Sequence, residues 1–279
     1  MKPSNNKFKM FKYNFKNQDK KIINEFNKKG YLIFNLDNIN KLNKIKKEIE
    51  KIIFKKLKKK NIKIEKKDKK NILNTFHNYL ALAELNGFRM SVYNHLNSKN
   101  WFLENYFELA REKIEIICGN ELAMQRKINL SIQFPKDDSS LLPIHSDVWS
   151  GCSPYEIVLW IPLVSVSKTK SMFILNKNKN KVFYKNFYKF KDSESLQDSI
   201  DKKIKWLNIK YGQGLIFSHQ LVHGNKINLT NETRWSFNCR FKSLMSPYDK
   251  KDIAETFLPI SIRPATIYGM NYEEPKTNK

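Results

Sequence analysis

The chain has 279 residues, 41% of them hydrophobic and 13% aromatic, which is enough for a substantial core and excludes a globally disordered chain. No run of about 20 apolar residues occurs, so no membrane-spanning helix is expected. The formal net charge of +25 comes from 52 basic residues of which only six are arginine; lysine in excess beside abundant Asn and Ile reads as AT-rich coding, and with no stripe of arginine forks and exposed aromatics, nucleic acid is not the expected partner.

The amino-terminal stretch MKPSNNKFKMFKYNFKNQDKK is basic without an apolar segment, so no secretory signal is expected. Ile22, Ile23 and Phe26 mark one face of a helix that Gly30 stops, and Tyr31–Phe34 predicts a short strand. Asp37 or Asn38 then caps a helix carrying Ile39, Leu42, Ile45, Ile49, Ile52 and Ile53. The run Lys55–Lys70 is too polar to pack and is expected to form an exposed helix end and loop. Residues 75–118 read as mostly helical: Leu80, Leu82, Ala83, Leu85 and Phe88 lead into an amphipathic segment, Trp101–Ile117, ended by Cys118-Gly119-Asn120.

Near residue 127 the period changes to two. Ile128, Leu130 and Ile132 alternate with Asn129, Ser131 and Gln133, a strand with one apolar and one polar face, and Pro135 with the DDSS cluster makes a loop. Further strand-like runs occupy Glu156–Val166, Ser171–Leu175, Lys181–Tyr184, Gly214–Phe217 and Arg234–Phe241, separated by the turns Asn176–Lys181 and Asn225–Thr233. A helical leader feeding short strands predicts an α+β chain: a double-stranded β-helix (jelly-roll, cupin-like) barrel with N-terminal helices packed outside. Residues 1–279 are read as one domain, with a mainly helical part to 126, a barrel core over 127–245, and a Pro-rich tail over 246–279 that wraps the barrel. Cys118, Cys152 and Cys239 are odd in number, scattered and without metal-ligand spacing, which points to a reducing cytoplasm rather than a disulfide framework.

The chemistry concentrates in His145-Ser146-Asp147 and His223. On a strand, positions 145 and 147 share one face, and the 75 residues between Asp147 and His223 leave room for four or five strands that return the second imidazole alongside. Two imidazole nitrogens and one carboxylate oxygen, with three positions open, are the ligand set of non-haem Fe(II) oxygen chemistry. His-x-Asp alone occurs by chance in many loops; joined to His223-Gly224 and to an arginine eleven residues later it becomes specific. The alternative is a set of unrelated surface side chains. Arg234, Ser236, Asn238 and Arg240 alternate along an inner face, with Trp235, Phe237, Cys239 and Phe241 on the outer one. The Arg234 guanidinium is a planar fork suited to the remote carboxylate of an oxo-acid cosubstrate, 2-oxoglutarate, with the Ser236 hydroxyl beside it. The plainer reading of Arg234 is a strand-end ion pair. Arg240 reads as an anion contact for substrate or as an exposed structural arginine.

His219 and His223 lie four apart, but HQLVH lacks the glutamate of HExxH, so His219 is read as a barrel-rim residue and not a ligand. His77 and His95 sit in helical segments with no carboxylate at ligand spacing, so core or surface roles are expected.

Taken together, these motifs resemble the phytanoyl-CoA dioxygenase branch of the Fe(II)/2-oxoglutarate oxygenases over most of the chain. EFNKKGYLIFNLDNINKLNKIKKEIE resembles that family's opening, HSDVWSG its metal-binding His-x-Asp, GQGLIFSHQLVHGNKIN the strand and His-Gly of the distal ligand, and ETRWSF its arginine. EIVLWIPL is similar to the strand whose tryptophan, here Trp160, lines the cosubstrate pocket. NELAMQRKINLSIQFPKDDSSLLPIHSDVWSG and SVSKTKSMFIL are similar to oxygenases of carbohydrate and surface-polysaccharide gene clusters. Where the family commonly has a Pro-Gly-Ser-His loop this chain has NKNKNK, which weakens the case for a CoA thioester.

The resemblance implies Fe(II) on His145, Asp147 and His223, 2-oxoglutarate steered by Arg234 with Ser236, Trp160 and Gln133 around it, and O2 as oxidant. Asp147 favours hydroxylation or another oxidation over halogenation, since halogenating relatives lack the carboxylate. Trp149, Tyr155 and Arg240 are candidate substrate contacts. A small-molecule substrate is expected, and an anionic one (a nucleotide sugar or carrier-linked group) would be drawn to the basic field. The competing readings are a non-catalytic barrel that binds a sugar and a nucleic-acid-directed oxygenase or binder.

Overall fold

In a computed structural model, the described residues are 16–139, 141–201, 204–248, 251, 253 and 255–275. The basic stretch up to residue 15, Ser140 of the DDSS loop, and the remaining positions of the tail lie outside them.

The period-two segments form a broad antiparallel sheet. Its order is β1 (Tyr31–Asn35), β6 (Gln213–Ser218), β4 (Ile157–Pro162), β8 (Arg234–Ser243), β2 (Leu122–Gln125) and β9 (Phe257–Ser261), with β3 (Asn129–Gln133) paired to β8. β4 lies along one edge of β8. β2 and β3 share the other edge end to end, β2 opposite Phe241–Ser243 and β3 opposite Arg234–Asn238. A smaller sheet pairs β5 (Phe173–Ile174) with β7 (His223–Gly224), and single bridges extend it, His145 to His223 and Phe173 to Trp206. A cavity lies between the two sheets, with lining residues drawn from both.

Helices cover the outer face of the large sheet: α1 (Asn17–Lys29), α2 (Ile39–Lys59), α3 (Ile72–Thr75), α4 (Leu82–Asn97), α5 (Asn100–Phe107) and α6 (Arg111–Cys118). α1 stops at Gly30, whose φ of 79° is left-handed and whose N–H donates to Phe26 O. Asn38 caps α2 by accepting from the N–H groups of Asn40 and Lys41, and Leu42, Ile45, Ile49, Ile53 and Leu57 recur at helical spacing as its buried stripe. The outer residues of β8 meet these helices. Trp235 packs against Phe76 and Phe88 and donates its indole N–H to Leu73 O at 2.8 Å; Phe237 packs on Phe102, and Phe241 on Phe107. Burying each large apolar side chain contributes about 1.5–3 kcal/mol. That packing fixes which face of β8 is outer, so the polar set is turned into the cavity.

Several expectations change. Trp101–Ile117 is two helices: the chain turns at 108–110, buries Leu109, and gives the Leu109 carbonyl to the Asp37 N–H at 3.0 Å. Lys181–Tyr184 is not a strand but the second half of α7 (Lys177–Lys185), and the turn expected at Asn176–Lys181 is its cap and opening. Asn176 accepts from the Lys179 N–H, while Asn180 and Phe183 are buried three apart, so helical burial overrides the β preference of Val-Phe-Tyr. A helix α8 (Ser193–Asp201) follows. The tail does more than wrap: it contributes edge strand β9, which tolerates Pro259 there, and helix α9 (Pro264–Met270). In the basic run 55–70, Leu57 and Asp68 are buried, and Asp68 accepts from the Tyr79 hydroxyl at 2.5 Å. His95 pairs with Glu48 across helices at 3.1 Å, and His77 contacts the Thr233 hydroxyl at 2.9 Å.

Candidate active site

His145 and His223 face each other across an antiparallel bridge. The N–H of each donates to the carbonyl of the other, at 3.0 and 2.9 Å, and the ring centroids are 4.3 Å apart. Each Nδ1 lies against a backbone carbonyl two residues earlier, Pro143 O at 2.7 Å and Leu221 O at 2.8 Å. A carbonyl only accepts, so Nδ1 carries the proton and Nε2 keeps its lone pair for a metal. Asp147 is not on a strand as expected: it opens a 3-10 turn, Asp147–Ser150, and still reaches the cavity beside His145. Among the described residues, three strands and two helices, rather than four or five strands, separate it from His223.

One ligand atom from each of His145, Asp147 and His223 lies within 4.8 Å of the other two. Asp147 Oδ2 is 3.8 Å from His223 Nε2, and Oδ1 accepts from Arg240 Nη2 at 2.9 Å. Burial alone would raise the Asp147 carboxyl, but His223, His219 and the Arg240 guanidinium outweigh it and hold the group well below the usual carboxylate range. Burial lowers His223 to about 4, so its imidazole is neutral at neutral pH. A charged oxygen beside this neutral ring is the protonation state a divalent cation requires.

The inner residues of β8, Arg234, Ser236, Asn238 and Arg240, line the same cavity of about 600 Å³. Arg234 is 3% exposed; burial lowers its guanidinium to about 10, with Asp137 opposing, and it stays cationic at neutral pH. Its Nη2 donates to Ser131 Oγ at 3.1 Å, whereas its Nε and the neighbouring Ser236 Oγ are buried without a hydrogen-bond partner. A buried cation with unfilled donors is costly unless an anion meets it. The arrangement suits a carboxylate.

Trp160 lines the cavity as well, in register with Asn238. Gln133 does not: it is fully buried opposite Arg234 on β3, and its amide N–H donates to Lys226 O at 2.9 Å. Arg240 is not an exposed arginine: its Nη1 donates to Gln125 and its Nη2 to Asp147, while its Nε is buried in the cavity wall without a hydrogen-bond partner. His219 is not at a rim. It is wholly buried, with Nδ1 3.1 Å from Glu156 Oε2 and Nε2 3.8 Å from Asp147 Oδ2. Trp149, 39% exposed, packs on Phe183 and Phe187; neither it nor exposed Tyr155 lines the cavity. The sequence reading assigned no role to the lining residues Ser131, Asn225, Arg89 and Tyr93. Ser131 lies on the polar face of β3, two residues from Gln133, and that alternation was the available signal. Asn225 ties the 141–143 loop to β7, its Oδ1 accepting from the Leu142 N–H at 2.6 Å. Arg89 and Tyr93 come from α4, where no local pattern marks them.

No family model matches the chain, and no curated protein matches it. Among solved structures it is similar to ThoJ, described as a non-heme monooxygenase, in its nickel complex: TM-score 0.55 at 14% identity, covering 88% of this chain and 85% of that one. It is also similar to EctD from S. alaskensis in its apoform (TM-score 0.51, 13% identity, 83% and 79% covered) and to AviO1 from Streptomyces viridochromogenes Tue57 (0.50, 11%, 83% and 97%). The fold is the double-stranded β-helix. Identity this low carries architecture alone, so the chemistry rests on the side chains.

Proposed function

We propose that this chain is an Fe(II)- and 2-oxoglutarate-dependent oxygenase of the phytanoyl-CoA dioxygenase-like branch. Its substrate is a small molecule, a sugar or sugar derivative of carbohydrate or surface-polysaccharide biosynthesis. One observation carries the reading: a single cavity holds two imidazoles and a carboxylate within 4.8 Å of one another, and also a buried arginine whose Nε has no partner. The donor set suits Fe(II), and the orphaned Arg234 Nε and Ser236 Oγ suit the distal carboxylate of 2-oxoglutarate.

In this reading His145 Nε2, Asp147 and His223 Nε2 hold the iron, and the two backbone-bound Nδ1 protons keep both rings aimed. Arg234, itself steadied by Ser131, orients the cosubstrate with Ser236, while Trp160 forms a wall that excludes water. Gln133, on the inner face of β3 but outside the cavity lining, ties the strand to the Lys226 carbonyl rather than touching cosubstrate. With O2, the bound iron and 2-oxoglutarate supply the oxidising equivalents for a C–H oxidation, releasing succinate and CO2. The Asp147 carboxylate would complete the donor set with His145 and His223, which favours oxidation over halogenation.

Asn129 and Asn238, joined by a 3.1 Å hydrogen bond, present amides that suit a hydroxylated substrate, and Arg89 at the same cavity suits an anionic group on it. The chain is read as one oxygenase domain, and its three free cysteines support a reducing cytoplasm. No helix among the described residues is long and apolar enough to cross a membrane. The test is titration of the purified chain with Fe(II) and 2-oxoglutarate under argon, followed by succinate release across nucleotide sugars. A weak visible charge-transfer band that needs both components is expected; its absence contradicts the proposal and favours a binding-only barrel.

A further inference from the structure

We propose that His219 and Glu156 are positioning residues that brace Asp147 from behind the metal face; the inference rests on the metal reading of His145, Asp147 and His223. The chain leaves β6 at Ser218 and turns through Ser218–Leu221, with the Leu221 N–H donating to Ser218 O at 3.0 Å, before β7 begins at His223. That turn sends two histidines four residues apart to different places. His223 lines the cavity, whereas His219 is wholly buried and is not among the lining residues.

The His219 backbone is anchored on both sides. Its N–H donates to Glu156 O at 3.3 Å, and its carbonyl accepts from the Ser146 hydroxyl at 2.8 Å, one residue before Asp147. The ring is thereby held between two carboxylates, Nδ1 3.1 Å from Glu156 Oε2 and Nε2 3.8 Å from Asp147 Oδ2. Glu156 is 1% exposed and is fixed by its other oxygen, which accepts from the Ser153 N–H at 3.0 Å. Both ring nitrogens and Glu156 Oε2 are buried without a well-formed hydrogen bond. Burying three such atoms in a row costs folding free energy, so a row aimed at Asp147 points to a function in holding that carboxylate. With Arg240 on Oδ1, the brace confines Oδ2 to the side shared with His223. Groups behind the ligands commonly set metal affinity by 10–100-fold.

Cys152 Sγ, Glu156 and His219 also lie within 4.8 Å of one another and could form a cation site of their own. Lys251 Nζ, 2.7 Å from that sulfur, places a positive charge where a dication would need its thiolate, which favours the brace.

Cobalt(II) titration of the full chain under argon, read by calorimetry and by visible absorption, tests this. The wild type is expected to bind one cobalt. His219→Phe, which removes both ring nitrogens, is expected to weaken it roughly 10–100-fold. His219→Gln keeps one N–H donor and is expected to retain most of the affinity. Because Glu156 acts through His219, Glu156→Leu adds little on top of His219→Phe in a double-mutant cycle. The cobalt-free melting temperature of each variant separates a folding loss from an affinity loss. Unchanged affinity in His219→Phe overturns the brace alone. So does a second bound cobalt with a thiolate charge-transfer band that Cys152→Ser abolishes. A wild type that binds no cobalt removes the metal reading and the brace with it.

Discussion

At the scale of residues, the account turns on charge state and direction. Asp147 is held ionised beside the Arg240 guanidinium, and both candidate ligand histidines have their protons tied to backbone carbonyls. Replacing Asp147 with Ala should therefore abolish iron binding in anaerobic titration while leaving the fold intact by circular dichroism; iron bound at wild-type affinity would count against the site. Arg234→Lys keeps the charge but loses the fork. It should raise KM for 2-oxoglutarate by at least about tenfold, of the order expected for losing one charge-assisted hydrogen bond. A KM unchanged in that variant would remove Arg234 from cosubstrate binding. At this scale the alternation on β8 was legible because it depends only on local chain geometry, whereas the approach of His223 to His145 and Asp147 is made by the fold. His219 was not legible. HQLVH lacks the glutamate of HExxH, so His219 reads as a barrel-rim residue, and only the tertiary approach of Glu156 shows where the buried imidazole sits.

At the scale of elements, the site depends on tight backbone approaches. A Cβ on Gly224 would lie 3.0 Å from the Phe173 ring and 3.2 Å from the carbonyls of Leu142 and Pro143, the second of which fixes His145. Gly224→Ala should thus weaken metal binding more than it lowers the melting temperature, and wild-type affinity in that variant would show that β7 has slack. The outer face of β8 makes the opposite prediction. Trp235→Ala opens a cavity among Phe76 and Phe88 and should cost about 3–5 kcal/mol in denaturant unfolding. A loss below about 1 kcal/mol would mean the helices do not hold β8 in place. Long amphipathic elements such as α2 were readable from spacing and caps. β2 was too short to show alternation, and α7 was disguised by Val-Phe-Tyr, whose strand preference loses to burial of Phe183 at helical spacing.

At the scale of the molecule, the charge of +25 has to be reconciled with a cavity of about 600 Å³. A lysine-rich surface attracts polyanions without reading them. Any retention of oligonucleotides should vanish steeply as salt rises and show no sequence preference; salt-resistant, sequence-selective retention would revive a nucleic-acid role. The jelly-roll architecture was legible because helices precede strands and the strand rhythm is regular, while the added edge strand β9 was hidden by Pro259. What the fold achieves is convergence: β7 and the 145–147 segment bring imidazoles and a carboxylate to one rim, and β8 brings Arg234 to the same space. The most direct measurement is anomalous diffraction at the iron edge from crystals grown anaerobically with Fe(II) and 2-oxoglutarate. The account predicts one strong peak bonded to His145, Asp147 and His223, with a carboxylate of the cosubstrate on Arg234. A peak elsewhere, or none, would contradict it.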